Sequence, residues 1–163
     1  NKEYERLSEE TKEKLKTKQK EKIEDFIKHP IFIKNTNQYK AISEKIVKQL
    51  ILENIDSFLM ELGDVFCYIK NEYKIRIGDQ YNYIDLLLYN IKYNCYVVIE
   101  LKVTELKKEY IGQIQVYMNY VDQKIKNSMQ EKTIGIILVK KDNQFIMEYC
   151  SDKRIFKTTY VLT

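Results

Sequence analysis

The sequence predicts an α/β domain in which a mixed sheet of antiparallel and parallel strands is flanked by helices. Three observations predict it. Two apolar stretches, Tyr83–Tyr89 and Cys95–Val103, are joined by the short polar segment Asn90–Asn94, which reads as an antiparallel hairpin. Before them, apolar residues from Ile42 to Leu62 recur at spacings of three and four, the period of a helix packed on a sheet. After them, a helical stretch from Thr104 to about Asn127 leads into Thr133–Val139, a continuous apolar run suited to a strand covered on both faces. Arriving after a helix, that run is expected parallel to the strand before it, through a right-handed crossover.

Composition narrows the class. A chain of 163 residues, 44% hydrophobic and 32% charged, is long enough for one domain with a proper core. No apolar run approaches the roughly 18 residues of a membrane span, and the polar start is unlike a signal peptide. Cys67, Cys95 and Cys150, an odd and scattered set, suit reduced thiols in a cytoplasm. A net charge of +4 permits a polyanionic partner without demanding one. With four glycines, no Gly-rich phosphate loop and His29 as the single histidine, P-loop, Rossmann and histidine-based chemistry are set aside.

Taken in order, residues 1–28 are rich in lysine and glutamate, and Leu15 is the only apolar residue between Ser8 and Lys22. Such a segment is a charged helical lead-in or linker, and the domain proper is 29–163. His29-Pro30 ends the lead-in. Thr36 or Asn37 caps a helix running to about Leu62, with Gly63 as its stop. On that helix Glu44 projects at the same angle as Leu62, and Lys48 lies one turn on. Asp64–Ile77 reads as one strand or two short ones, and Gly78-Asp79 as the turn into the hairpin. Lys140–Asn143 turns the chain again. Phe145–Tyr149 and Lys157–Leu162 finish the sheet or pack on it, and the basic residues of this region read as a solvated edge.

The chemistry lies in the hairpin, whose strands carry charge where a buried strand should carry none: Asp85 in the first, Glu100 and Lys102 in the second. Centring the turn near Lys92–Tyr93 sets Tyr89 opposite Tyr96, Leu87 opposite Val98 and Asp85 opposite Glu100. Opposed residues have Cβ atoms about 4.5–5.5 Å apart, and like charges there destabilise a sheet. A divalent cation resolves the conflict, since magnesium takes hard oxygen ligands from one or two carboxylates, completed by water and phosphate. Lys102 shares a face with Glu100 and is placed to touch a phosphate or a bound water. A plain buried ion pair is the competing explanation, but one lysine against two carboxylates leaves negative charge in excess.

Asp85…Glu100-Leu101-Lys102 resembles the PD-(D/E)xK nuclease signature. The blocks FLMELG (58–63), YIDLLLY (83–89), CYVVIELK (95–102), IGQIQVYMNYVD (111–122) and IGIILVKKDN (134–143) are similar to the YhcG-type nuclease domain of bacterial proteins, from about Ile27 to the end. The resemblance implies a restriction-endonuclease-like fold and a Mg2+-dependent nuclease, with Mn2+ able to substitute. It also implies DNA rather than RNA as partner, endonucleolytic cleavage, a possible homodimer and a separate amino-terminal domain ahead of this one. Asp85, Glu100 and the Leu101 backbone carbonyl would hold the metal and Lys102 would act on water or phosphate. Gln113-x-x-x-Tyr117 resembles a motif of RecB-like nucleases, in which the glutamine helps fix water or substrate. The family places a supporting glutamate on the first core helix; Lys48 stands there, and Glu44, one turn earlier, is the candidate replacement. A second expectation is a nucleic-acid-binding or assembly module that keeps the fold but has lost cleavage.

Overall fold

A computed structural model describes residues 27–63 and 65–163. The expectation for 1–28 therefore lies, but for its last two residues, outside the described residues. In chain order the elements are β1 (Ile31–Ile33), α1 (Glu44–Glu53), α2 (Ile55–Leu62), β2 (Phe66–Ile77), β3 (Gln80–Asn90), β4 (Cys95–Glu105), α3 (Lys108–Lys124), β5 (Glu131–Lys141), α4 (Gln144–Glu148) and β6 (Ile155–Leu162). The strands form one sheet in the order β1-β6-β5-β4-β3-β2. β2, β3 and β4 pair antiparallel, whereas β4, β5, β6 and β1 run parallel.

Two cores explain why β4 and β5 read as continuous apolar runs. On one face Val97, Ile99, Leu101, Ile136 and Leu138 pack with Val47, Leu50, Phe58 and Leu62 of α1 and α2. On the other, Leu87, Val98, Ile137 and Val139 pack with Ile114, Tyr117, Met118 and Val121 of α3. Central strands covered on both faces cannot alternate apolar with polar. The approach of α3 is close at Gly135, where an added Cβ would lie 2.6 Å from Met118 Sδ.

The hairpin register is the expected one, with Leu87 opposite Val98 and Tyr89 opposite Tyr96. Other boundaries differ. The single helix expected from 36 or 37 to 62 is two shorter ones, and it starts at Glu44, where Ser43 Oγ accepts the Ile46 N–H at 3.2 Å. Upstream, the Asn35 side chain accepts the Tyr39 N–H at 3.1 Å and donates to its carbonyl at 3.0 Å, closing a loop that competes with helix. The second interruption falls at Asn54, a residue type with low preference for helix interiors. α3 begins at Lys108 rather than Thr104 because β4 continues through Glu105. Phe145–Tyr149 is no strand: Asn143 Oδ1 accepts the Phe145 N–H at 3.2 Å and caps the short helix α4. His29, the expected boundary residue, is tied to β6 through Nδ1 and Thr158 Oγ1, 3.1 Å apart.

Candidate active site

The β3–β4 ladder runs from Asn90–Cys95 to Leu86–Ile99 and there gives way to side chains. The Asp85 N–H donates to Glu100 Oε1 at 3.2 Å, and the Leu101 N–H donates to Asp85 Oδ2 at 2.8 Å. Side-chain alternation along β3 also resets at this point. Ile84 belongs to the core under α3, whereas Leu86 and Leu88 belong to the core under α1 and α2. On the neighbouring strand the partner position is Glu72, held in the left-handed region at φ 47°. Asp85 thus sits in a local opening of the sheet, and its carboxylate fills the place of a missing backbone pair.

Glu100 lies beside it, 2% exposed. Burial pushes its carboxyl well above the usual range, and the adjacent Asp85 charge and a bond between the two carboxyl groups push further; the Asp85 N–H and then Lys102 pull back only in part. Asp85 is held from the other side by α1, with Lys48 Nζ 2.6 Å from Oδ1 and 3.2 Å from Glu72 Oε1. Burial disfavours the Lys48 ammonium, but the bond and charge of Asp85, joined by Glu72, outweigh it and raise its pKa. Lys102 Nζ stands 4.9 Å over the Tyr110 ring. That ring is fixed by a 2.6 Å hydrogen bond between its hydroxyl and Thr104 Oγ1.

From α3, Gln113 Nε2 donates to the Tyr117 hydroxyl at 3.4 Å. Tyr117 is buried, and its hydroxyl is pushed up first by burial and then by the charge of Glu100, so the Gln113–Tyr117 pair is within electrostatic reach of the carboxylates. Glu44 is placed elsewhere. It opens α1 and its charge acts on the Tyr160 hydroxyl of β6, three strands along the sheet from β3. The angular match with Leu62 fails because α1 and α2 are not one helix. Sequence reasoning missed Glu72, which is indistinguishable in the chain from any other charged residue of an exposed strand.

The donor set suits a hard dication. Two carboxylates meet where excess negative charge has only partial compensation. In an extended strand the N–H and C=O of one residue face the same edge, so the Leu101 carbonyl is directed with its N–H toward Asp85. Among the described residues no three His, Cys, Asp or Glu side chains gather, so a third protein ligand here would come from the backbone. Lys48, Glu72, Asp85 and Leu101 line a hollow of about 30 Å³, room for one ion or water rather than several. Glu100 does not line it: its neighbours Ile99 and Leu101 face α1 and α2, so its own side chain is directed to the α3 face, beside Tyr117. Roomier hollows, such as one of about 430 Å³ beside Phe145 and Tyr149, contain no carboxylate pair.

Comparison with known proteins gives concordant matches. Residues 24–163 match the model of the YhcG PDDEXK nuclease domain. Over 112 residues the chain is 25% identical to the protein YhcG of Escherichia coli (strain K12), covering 69% of this chain but 30% of that protein. Among solved structures it is similar to a repair endonuclease from Pyrococcus abyssi, with a TM-score of 0.52 and 21% identity over 75% of this chain and 48% of the other. It is also similar to EndoMS in a complex with dsDNA, with a TM-score of 0.54 and 18% identity over 75% and 46% of the two chains. At these identities the structural likeness speaks for the fold.

Proposed function

Because this chain belongs to the YhcG family of PDDEXK nuclease domains, we propose that it is a divalent-metal-dependent endonuclease that hydrolyses phosphodiester bonds, in DNA rather than RNA. The observation that carries this reading is the meeting of Asp85 and Glu100 in the opening of the β3–β4 ladder, with Glu100 buried and under-compensated. Asp85, Glu100 and the Leu101 carbonyl would hold Mg2+, or Mn2+ in its place. Such an ion supplies polarisation of the phosphate and a more acidic attacking water. Lys102, steadied over Tyr110, donates to the phosphate oxygens as negative charge builds on them. Gln113 acts through Tyr117 as a positioning residue beside Glu100. Lys48 pairs with Asp85 and with Glu72 at once, so Glu72 would keep the lysine anchored were Asp85 to hold a dication.

One observation favours a second reading, a nucleic-acid-binding module without cleavage: the Lys48 ammonium already occupies Asp85 Oδ1. Incubation with DNA and RNA, with and without Mg2+ or Mn2+, separates the two. Metal-dependent cleavage that disappears in Asp85→Ala and Lys102→Ala supports the nuclease. Binding of both nucleic acids without cleavage under any metal supports the module.

A further inference from the structure

The half of the β2–β3 hairpin beyond the site has two unlike faces. Register pairs Lys74 with Tyr83, Arg76 with Tyr81, Ile75 with Asn82 and Tyr73 with Ile84. Opposed residues share a face, so Ile75 and Ile84, 1% and 0% exposed, anchor one side in the core under α3. The other side carries Lys74, Arg76, Tyr81 and Tyr83, with Tyr81 57% and Tyr83 48% exposed. β4 pairs with β3 only as far as Leu86, so this half of the hairpin is an arm outside the main ladder, held on one face and open on the other. Tyr81 and Tyr83 lie opposite in facing to Ile84, which is turned to α3, and so share the side from which Lys48 of α1 reaches Asp85; from Tyr81 to Asp85 the strand spans roughly 13 Å.

We propose that this open face is the track along which a single-stranded segment of the nucleic acid reaches the Asp85–Glu100 pair. The inference rests on the nuclease reading and adds to it the surface and the strandedness of the substrate. Its residue types match that partner. Lys74 Nζ is held 4.0 Å over the Tyr81 ring, so its charge is positioned. Arg76 is kept on the arm by a 3.0 Å bond from Nε to the Gly78 carbonyl, and its acidic neighbour Asp79 is fully exposed at 3.7 Å, a weak pair that salt or phosphate can replace. Two cations against one loosely paired carboxylate leave the outer arm positive. Tyr83, next in line toward Asp85, offers its ring. Cations for phosphates beside rings for unpaired bases are what binding a single strand requires. A protein partner would find no continuous apolar surface here, because each tyrosine is opposed by a cation.

The test is fluorescence anisotropy of a labelled single-stranded DNA oligonucleotide in EDTA, with the full chain and with Lys74→Ser/Arg76→Ser, Tyr83→Ala and the distant control Lys132→Ser. The double variant is expected to weaken binding about tenfold or more and to flatten the dependence of log affinity on log salt by roughly 1.4, two contacts at about 0.7 each. Tyr83→Ala is expected to lose about tenfold without changing that slope. Lys132→Ser should bind as wild type. Unchanged affinity in both arm variants, with circular dichroism confirming the fold, overturns the track while leaving the nuclease reading standing. Equal losses with duplex DNA overturn the single-strand assignment. Wild type that neither binds nor cleaves any oligonucleotide overturns both.

Discussion

Two regions of this domain bring a pair of carboxylates together with basic side chains, and they have opposite characters. Around Arg154 the charges are matched. Its Nη1 donates to Asp122 Oδ2 at 2.8 Å and to the Thr133 carbonyl at 3.3 Å, its Nη2 to Asn119 and Asp152, and Asp122 Oδ1 accepts the Thr133 N–H at 2.8 Å. Burial alone would raise the Asp152 carboxyl, but its bonds and charge contact with Arg154 outweigh that and lower it. At Asp85–Glu100 the balance is reversed: burial and a neighbouring carboxylate raise Glu100, and neither Lys48 nor Lys102 restores it. A guanidinium fork satisfies a carboxylate pair geometrically, whereas point-like ammonium groups at the margins leave the pair short of charge. The first cluster ties α3, β5 and β6 together; the second has an unmet demand for positive charge, on which the proposal of a bound dication rests.

The contrast yields graded predictions. The largest effect is on cleavage. Asp85→Ala should lower the Mg2+-dependent rate on DNA by at least about a hundredfold, read on gels, because both the proposed metal ligand and the bridge to Leu101 are lost. Arg154→Met should instead act on stability, by about 2 kcal/mol in urea unfolding, since it strands two partly buried carboxylates. Its cleavage rate at ambient temperature should match wild type, and a large loss there would erase the distinction between the clusters. Next, Lys48→Met should tighten Mn2+ binding about tenfold in calorimetry, because it removes a cation from Asp85 Oδ1.

The smallest effect is one of sign. Glu100 has a folded pKa raised above its ordinary 4.5, so its contribution to metal-free stability is present at low pH and lost as pH rises above that value through the folded pKa. Wild-type stability relative to Glu100→Gln should fall across that window, by at most about 1.4 kcal/mol per pH unit. For Asp152, lowered from 3.8, stability relative to Asp152→Asn should be present at neutral pH and lost as pH falls through the folded pKa. Slopes of the same sign would break the comparison.

Much of this was legible in the chain, for identifiable reasons. The hairpin and its register followed from two apolar runs and a short polar link, and β5 followed from an apolar run too uniform for a half-exposed strand. The break at Asn54 did not, because the helix penalty of one asparagine is small beside the apolar period that runs across it. β1, three residues long, is too short to show any period. Within the site, Asp85, Glu100 and Lys102 could be placed because strand spacing converts sequence distance into position. Lys48 and Glu44 could not, since which turn of α1 lies over β3 depends on how the helix docks.

The most direct measurement is a Mn2+ titration followed by electron paramagnetic resonance on wild type, Asp85→Asn, Glu100→Gln and Arg154→Met. The expected result is one ion bound by wild type and by Arg154→Met, and loss of that ion in both carboxylate variants. Undiminished Mn2+ binding in Asp85→Asn and Glu100→Gln, or no bound ion in wild type, would contradict a metal centre in the opening of the β3–β4 ladder.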